Sequence, residues 1–546
     1  MLANFEEELG KAVDRVISST SRKKLVVAGP GTGKTTLFRK LLESSKGDKN
    51  DRLILTFLNN LKKELEEKLS DLGGVFTFHG YCHMLLRKHE ELREGLTKEF
   101  RYFPGLASLI KHDWELVHDA RAPLFVGLMR DLKDGDETTF YLNRSNYYDA
   151  IEFDDSVFRV RKILSQSAAL IPTYELVLVD EFQDFNRLEA SFIELLATKS
   201  AIAIVGDDDQ ALYSQLRGST HEFIRQLHQG GDYERFDLPF CLRCPEVVVG
   251  AISDVIDVAK KLGKLAGRID KPYLYYPPRK EADSARYPKV KVVSVSTQQS
   301  NANYLGRYIS EAIRQIPADE IAESRAEGFP TVLIIGPAHY LRPVAEHLTR
   351  EGCRLEVKED SGPTAFVISD AHEILHTDPE SNLGWRISLA IDRPRFRKKV
   401  IQQSVKDLSP LSQLLTTDYK DGVLREAATW SEETGAAKAA EVGDASMPTI
   451  KLTSFEGSKG LSAQHVFILG LQEDELPHDK ADINDLEICK YIVALTRTRK
   501  QCQLLCTWRF SGVPKRPSIF IDWVKAERRE LVKVDKDYWE KPAKEK

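Results

Sequence analysis

Residues 26–36 read Val-Val-Ala-Gly-Pro-Gly-Thr-Gly-Lys-Thr-Thr, an apolar β-branched run that breaks into a glycine-rich turn. The backbone N–H groups of such a turn converge on an anion, and the helix that follows adds the positive end of its dipole. A strand-like run from Lys24 to Ala28 precedes the turn, and a helix-like run from Thr36 to Leu42 follows it. This context predicts an α/β fold built around a nucleoside triphosphate site.

Each residue type in this loop has a task in holding a triphosphate. Lys34 can reach the β- and γ-phosphates, and the hydroxyl of Thr35 can hold Mg²⁺. Alanine stands at residue 28, where the pattern has glycine. The residues predicted to bind the nucleotide here are Gly29, Gly31, Thr32, Gly33, Lys34, Thr35 and Thr36.

Length and composition indicate a multidomain protein of the cytoplasm. The 546 residues exceed one hydrophobic core, and a domain size of ~150 residues gives about three or four units. No apolar run approaches the ~20 residues that span a bilayer, and the acidic N-terminus lacks the apolar core of a signal peptide. We therefore expect no membrane contact. Because the net charge is −5, any nucleic-acid surface must be a local basic groove.

The seven cysteines favour reduced thiols over a disulfide framework, since their number is odd and no export signal is present. Cys241 and Cys244 have metal-ligand spacing, and Cys502 with Cys506 would complete a zinc or iron–sulfur set. The alternative is that Cys502 and Cys506 are buried thiols of a strand that need no metal.

Strand-like runs alternate with helical stretches in two regions, residues 22–238 and residues 288–508, which indicates two parallel-sheet α/β units. Between residues 78 and 176 the pattern turns helical and aromatic, as expected of an insertion into the first unit. A similar break lies between residues 352 and 448. The segment after Ile521 is rich in charge, and we expect its last residues, 541–546, to be frayed.

Acidic side chains follow the second decisive strand, Leu176–Val179. Ligands in open α/β sheets bind at the carboxyl ends of the strands, where Asp180 would complete Mg²⁺ coordination with Thr35. Glu181 would orient or deprotonate the attacking water. A third strand, residues 201–205, ends in Gly-Asp-Asp-Asp-Gln-Ala-Leu-Tyr, and the amide of Gln210 could sense the γ-phosphate.

These motifs, in this order, resemble those of superfamily 1 helicases of the UvrD/Rep/PcrA type, and the resemblance runs from about Leu25 to Leu505. It implies an α/β fold with two RecA-like parallel-sheet core domains and mainly helical insertions. The implied divisions are 1–80 and 176–238 for the first core (1A), 81–175 for its helical insertion (1B), 239–351 and 449–525 for the second core (2A), 352–448 for a reduced helical insertion (2B) and 526–546 for a charged tail. The chain would be a compact member.

The resemblance also implies roles for individual residues. The phosphate chemistry would fall to Lys34, Asp180, Glu181, Gln210, Arg243 and Arg497, with Thr35 and Asp180 on the metal and Gly460 at the nucleotide. Single-stranded DNA would be contacted by Phe57, Asn59, Thr77, His79, Tyr213, Arg217 and Ser454. The alternatives are core packing for Phe57 and Tyr213, a turn cap for His79, and solvated surface positions for Arg243 and Arg497.

The sequence departs from the family pattern at both the nucleoside and the DNA. The positions that read adenine, stack on the base and hold the ribose carry Leu9, Leu242 and Ser462. The base-stacking aromatic before Arg217 is Leu216, and the histidine expected before the Lys-Gly-Leu segment is Glu456. We therefore expect intact phosphate chemistry with relaxed base discrimination, and a weaker or rearranged hold on single-stranded DNA.

The resemblance implies an ATP- and Mg²⁺-dependent translocase or helicase of 3′→5′ polarity. It would act on single-stranded or tailed duplex DNA in repair, recombination or phage defence. The alternative is a nucleotide-gated sensor of DNA ends, or a partner module of a nuclease, that does not unwind processively. Little chain follows Arg497, so we expect any cleavage to come from a separate nuclease. An ATPase without a nucleic-acid role is the third candidate.

Overall fold

The computed structural model describes residues 2–57, 59–213, 218–299, 302–357, 366–391, 397–430 and 447–540. The strands in these ranges are β1 (Lys23–Ala28), β2 (Arg52–Thr56), β3 (Gly74–Thr77), β4 (Arg101–Tyr102), β5 (Ala150–Ile151), β6 (Leu176–Val179), β7 (Ala201–Gly206), β8 (Glu234–Leu238), β9 (Phe240–Cys241), β10 (Leu274–Tyr275), β11 (Val290–Val295), β12 (Gln298–Gln299), β13 (Ala302–Asn303), β14 (Val332–Ile335), β15 (Leu355–Val357), β16 (Ile450–Thr453), β17 (Ala463–Ile468), β18 (Thr498–Thr507), β19 (Arg509–Phe510), β20 (Val513–Pro514) and β21 (Arg529–Val534).

Helices cover both faces of the sheets and form most of the two insertions. They are α1 (Leu2–Ser18), α2 (Lys34–Ser44), α3 (Asn59–Leu69), α4 (Phe78–Lys88), α5 (Leu106–His118), α6 (Phe125–Arg130), α7 (Asp136–Tyr148), α8 (Phe153–Gln166), α9 (Arg187–Ala197), α10 (Glu222–Gln229), α11 (Glu246–Lys261), α12 (Pro277–Arg286), α13 (Tyr304–Arg314), α14 (Ala318–Ala326), α15 (Ala338–Arg350), α16 (Ile368–Thr377), α17 (Asn382–Ile391), α18 (Arg397–Asp407), α19 (Leu411–Leu414), α20 (Thr417–Ala428), α21 (Asp485–Thr496), α22 (Ile519–Trp523) and α23 (Lys536–Glu540). None of these helices is long and apolar enough to cross a bilayer.

The first sheet has the strand order β3-β2-β6-β7-β1-β8, and all of its neighbours are parallel. Its central strands are covered on both faces, so they consist of nearly continuous apolar runs; Leu25, Val26 and Ala28 are fully buried. Because the strands are parallel, the turns after β1, β6 and β7 meet at one edge of the sheet. The glycine-rich loop, Asp180 and Asp207 follow these three strands.

The second sheet has the order β15-β16-β14-β17-β18-β11-β21 and is also parallel throughout. Together the two sheets confirm the predicted α/β class with two RecA-like cores. The segment predicted as a charged tail, 526–546, includes β21, which pairs with β11 from Val290 to Val295. Arg529, Glu530 and Lys533 make half of this strand charged, and their density masked the strand pattern.

The two helical insertions share one hydrophobic core. Leu109 of α5 and Met129 of α6 belong to the same buried cluster as Trp385 of α17 and Leu411 of α19. A buried ion network lies within it, where the carboxylate of Asp113 accepts hydrogen bonds from Arg144 at 2.9 Å and from Arg386 at 2.7 Å. The insertions therefore pack against each other as one accessory unit, and their buried cluster continues to Leu53 and Val177 of the first sheet. The residue limits given above for the four divisions stay a prediction.

All seven cysteines are free thiols. In the described part of the chain, the only cluster of three or more His, Cys, Asp or Glu residues whose ligand atoms lie within 4.8 Å of one another is Asp207, Asp208 and Asp209. The four cysteines considered for a metal set do not form such a cluster there. Cys502 and Cys506 are buried in β18, where burial raises the pKa of Cys502 to about 12 and that of Cys506 to about 11.

Candidate nucleotide and DNA site

The glycine-rich loop has the backbone shape that its sequence predicts. Gly31 and Gly33 have φ angles of 73° and 90°, and Gly33 caps α2. A Cβ atom on Gly31 would lie 2.5 Å from the Cβ of Arg243, so only glycine fits at this position. Ala28 ends β1, and its methyl group is fully buried in an apolar cluster. The loop thus opens toward the positive N-terminus of an eleven-residue helix.

Lys34 and Glu181 form the centre of the site. Lys34 Nζ lies 2.5 Å from Glu181 Oε1, and Gln183 donates a hydrogen bond to Glu181 Oε2 at 2.6 Å. Although burial opposes it, the charges of Lys34 and Lys459 hold the pKa of Glu181 well below its ordinary value. Glu181 also has a left-handed backbone, with φ 53° and ψ 42°. Such strain in a residue other than glycine is typical of functional sites.

Asp180 lies beside this pair and has the properties of a metal ligand. Its Oδ1 atom is buried and has no hydrogen-bond partner among the described residues. Burial and the neighbouring charge of Glu181 raise the pKa of Asp180 to about 7. A bound divalent cation would satisfy the orphaned oxygen and favour the ionised carboxylate. Thr35, which is half-buried at the start of α2, supplies a hydroxyl of the kind that such a cation binds.

Arginines from beyond the first sheet form the other wall. Arg497 lies at the end of α21, and its Nη2 donates to Gln210 Oε1 at 3.2 Å across the two cores. Its Nε donates to the carbonyl oxygen of Val493 at 2.9 Å, and its Nη1 donates to that of Leu461 at 3.2 Å. Burial and the positive charge of Arg243 lower the pKa of Arg497 to about 10. Two neighbouring guanidinium groups of like charge, one of them buried, form a site prepared for an anion.

Leu242 and Ser462, which stand at the predicted nucleoside positions of the core, offer few hydrogen-bonding groups to a base. The N–H of Leu242 donates to the carbonyl oxygen of Gly31 at 2.8 Å, and its apolar side chain approaches Gly33. Ser462 Oγ accepts a hydrogen bond from Arg499 Nε at 3.0 Å. Leu9 is half-buried on α1. None of these three side chains can offer an amide to a base.

The structure also reveals two residues that were given no role from the sequence. Lys459 is buried; its Nζ bonds to Asp184 and donates to the carbonyl oxygen of Gln210 at 2.8 Å. Its position in the Lys-Gly-Leu segment is the sequence feature that could have indicated a role for Lys459 in the cleft. The hydroxyl of Tyr273 donates to the carbonyl oxygen of Pro30 at 3.1 Å. Nothing in the sequence around Tyr273 indicated this contact with the phosphate loop.

The residues predicted to contact DNA have different surroundings. Phe57 is buried and packs on Tyr213 with ring centroids 5.4 Å apart, and the hydroxyl of Tyr213 donates to the carbonyl oxygen of Glu456 at 3.1 Å. Asn59 begins α3 and is exposed. Ser454 Oγ accepts from the N–H of Gly457 at 3.0 Å. Arg217 lies outside the described residues.

Two further DNA candidates have structural tasks in the fold. Thr77 Oγ1 caps α4 by accepting from the N–H of Gly80 at 3.1 Å. His79 is buried, and its Nε2 lies 3.7 Å from Glu189 Oε1. Gly460 has a φ angle of 79°, and a Cβ atom there would lie 3.0 Å from Leu61 Cδ2 of α3, so the second core closely approaches the first at this point. The DNA and nucleotide roles of these residues stay predictions.

Comparison with known proteins agrees with this geometry. A family model described as an AAA domain matches residues 11–215. DNA helicase II of Haemophilus influenzae is 26% identical over 48% of this chain and 43% of its own length. ATP-dependent DNA helicase PcrA of Staphylococcus aureus is 23% identical over 44% of this chain and 38% of its own length, so each alignment spans less than half of the relative.

A third relative is matched over most of both chains. The probable DNA helicase II homolog of Mycoplasma genitalium is 21% identical over 95% of this chain and 88% of its own length. The ordered motifs, the two parallel sheets with a shared cleft and these matches lead to one assignment. The chain is similar to superfamily 1 helicases of the UvrD/Rep/PcrA type.

Proposed function

We propose that the protein is an ATP-dependent single-stranded-DNA translocase and DNA helicase. The observation that carries the proposal is the hydrogen bond from Arg497 to Gln210, because it joins one core to the phosphate-binding edge of the other. A triphosphate held between them would draw the cores together, and its loss would release them. Repeated closure and opening is how a two-core motor steps along a strand. The matched relatives, named as DNA helicases, support DNA as the track.

The residues of the cleft divide the work of hydrolysis. ATP would lie on the loop of Gly29 to Thr36, and Mg²⁺, held by Thr35 and Asp180, would neutralise charge on the phosphates. Lys34 would leave Glu181 for the phosphate oxygens, which frees the Glu181 carboxylate to orient water and accept its proton. Arg243 and Arg497 would stabilise the charge that develops in the transition state. Positioning and charge therefore supply the catalysis.

The first test is hydrolysis of ATP with and without single-stranded DNA, RNA and duplex, at several salt concentrations. We expect single-stranded DNA to stimulate the rate most. Stimulation at limiting DNA should fall as salt rises, because binding to phosphates releases counterions. Hydrolysis that none of the three nucleic acids changes would contradict a motor on DNA, and would favour an ATPase without a nucleic-acid role.

Strand displacement then separates a helicase from a nucleotide-gated partner module. We expect a duplex with a 3′ tail to be unwound and one with a 5′ tail to be left intact. Stimulated hydrolysis without displacement on either substrate would favour a sensor of DNA ends or a module that serves a nuclease. We propose that either activity serves DNA repair, recombination or phage defence in the cytoplasm, and a knockout challenged with DNA damage and with phage would distinguish these roles.

Selectivity among nucleotides should be low. Leu242 cannot hydrogen-bond a base, and Ser462 is engaged by Arg499. A pocket without paired polar groups discriminates weakly, whereas one built to hydrogen-bond a base rejects the wrong one by about 10⁴-fold or more. We expect kcat/KM for ATP and GTP to agree within about tenfold, measured at saturating single-stranded DNA. A preference for ATP beyond about 100-fold would show that other residues read the base.

A further inference from the structure

Three consecutive carboxylates are buried directly after β7. Asp207, Asp208 and Asp209 are each at most 4% exposed. Lys271 reaches all three, with its Nζ 2.7 Å from Asp207 Oδ1, 2.6 Å from Asp208 Oδ1 and 2.9 Å from Asp209 Oδ2. The ammonium group therefore takes the position that a metal ion would otherwise occupy among these oxygens.

Two arginines complete the neutralisation. Arg268 binds both carboxylate oxygens of Asp209, and Arg225 donates to Asp208 Oδ2 at 3.0 Å. Although burial opposes it, the surrounding carboxylates raise the pKa of Lys271, so it remains charged at neutral pH. Three cations thus face three anions. Removing one charge would leave its partners buried without compensation.

Asp207 differs from its neighbours because it also binds a residue of the nucleotide cleft. Its Oδ2 accepts a hydrogen bond from Gln210 Nε2 at 2.9 Å, while its Oδ1 is held by Lys271. A carboxylate can only accept, so this contact requires the NH₂ group of Gln210. The amide oxygen of Gln210 must then point the other way, toward Arg497 at 3.2 Å.

We propose that Asp207, clamped by Lys271, is a positioning residue that sets the amide orientation of Gln210, so that the oxygen of Gln210 engages Arg497. The inference rests on the proposed ATP hydrolysis and adds a contact that couples the two cores of the protein during it. Lys271 enters from the segment between α11 and β10, so this segment helps to set the amide of Gln210 at the cleft.

Asp207→Asn tests the orientation directly. The new amide has one acceptor, and the ammonium of Lys271 will hold it, so its NH₂ group will face Gln210. Gln210 must then flip and present its own NH₂ group to the Arg497 guanidinium, which repels it. We expect kcat for DNA-stimulated hydrolysis to fall on the order of 10- to 100-fold, with KM for ATP nearly unchanged, because the phosphate loop is untouched.

Exchanging the donor and the acceptor of the hydrogen bond between residues 207 and 210 provides the most discriminating test. In the Asp207→Asn, Gln210→Glu double variant, the amide can donate to the new carboxylate, which in turn accepts from Arg497. The total charge equals that of the wild type, and we expect Tm to recover relative to Asp207→Asn. The readout for this variant is Tm and not kcat, because a carboxylate at residue 210 would face the phosphates. Asp207→Asn combined with Gln210→Ala should lose no more of kcat than Gln210→Ala alone, because both changes remove the same interaction.

Arg268→Gln is the matched control. It removes a cation from the same cluster but leaves Asp207 and Gln210 in contact, so it should lower Tm and leave kcat unchanged. If Asp207→Asn does not fold, Asp207→Glu keeps the charge and displaces the carboxylate by one methylene group, with the same loss of kcat expected. A wild type without hydrolysis refutes the proposed function. A normal kcat in Asp207→Asn, or no recovery of Tm in the double variant, overturns the inference itself.

Discussion

Replacing Lys34 with alanine should reduce the rate of ATP hydrolysis by at least about 100-fold, because the loop loses its one charged donor to the phosphates. Lys34 is largely buried and lies 2.5 Å from Glu181 Oε1. Within the described residues no other lysine lies on the loop itself, and the backbone N–H groups that remain cannot replace a full positive charge. Initial rates at saturating ATP and single-stranded DNA give the measurement.

Lys40→Ala is the control for this variant. Lys40 belongs to the same helix, α2, but its side chain is exposed to solvent. It should hydrolyse ATP at the wild-type rate, since exposed substitutions away from a site have small effects. Thermal unfolding of both variants separates lost chemistry from lost structure. A folded Lys34→Ala variant that keeps DNA-stimulated hydrolysis would show that the nucleotide binds elsewhere.

The candidate phosphate site could be predicted from the sequence because its residues follow buried strands. Asp180 comes directly after β6, Lys34 and Gln210 lie in the segments that follow β1 and β7, and parallel strands bring such positions to one edge. Arg497 lies in a distant segment, and no rule of spacing places it near Gln210. It was found only because the order of the motifs resembled a known family.

Contacts made by irregular segments could not be predicted. Tyr273 and Lys271 lie between α11 and β10, where no periodic pattern constrains the chain, yet one contacts the phosphate loop and the other binds Asp207. Their partners are more than 60 residues away in sequence. Pairing at that distance depends on how the two cores pack, and local propensity contains no information about it.

The packing of the two insertions into one accessory unit also could not be predicted from the sequence. The sequence indicated two separate helical insertions, and their shared core follows from contacts between α5 and the helices α17 and α18. In the sequence, Asp113 cannot be distinguished from the other charged residues of an amphipathic helix. Only the packed structure shows that it lies between Arg144 and Arg386 with its side chain fully buried.

Asp113→Asn should therefore destabilise the accessory unit by about 3–5 kcal/mol, which is the usual result of removing one partner from a buried ion network. Although burial opposes it, the two guanidiniums hold the pKa of Asp113 below its ordinary value, so the carboxylate is charged at neutral pH. The amide would leave two buried cations with a neutral partner. Urea unfolding of the full chain, followed by cleavage with a protease at low enzyme concentration, reports the opening of this unit.

Asp119→Asn is the matched comparison, because Asp119 follows α5 and pairs with Lys398 of α18 across the same contact between insertions. The side chains of that pair are 70% and 45% exposed, and exposed ion pairs contribute about 0–1 kcal/mol. The two variants thus remove the same charge from the same interface at different depths. Equal urea midpoints for the two would mean that the insertions are held together by apolar packing alone. A large shift confined to Asp113→Asn would make the buried network the contact that fixes one insertion against the other.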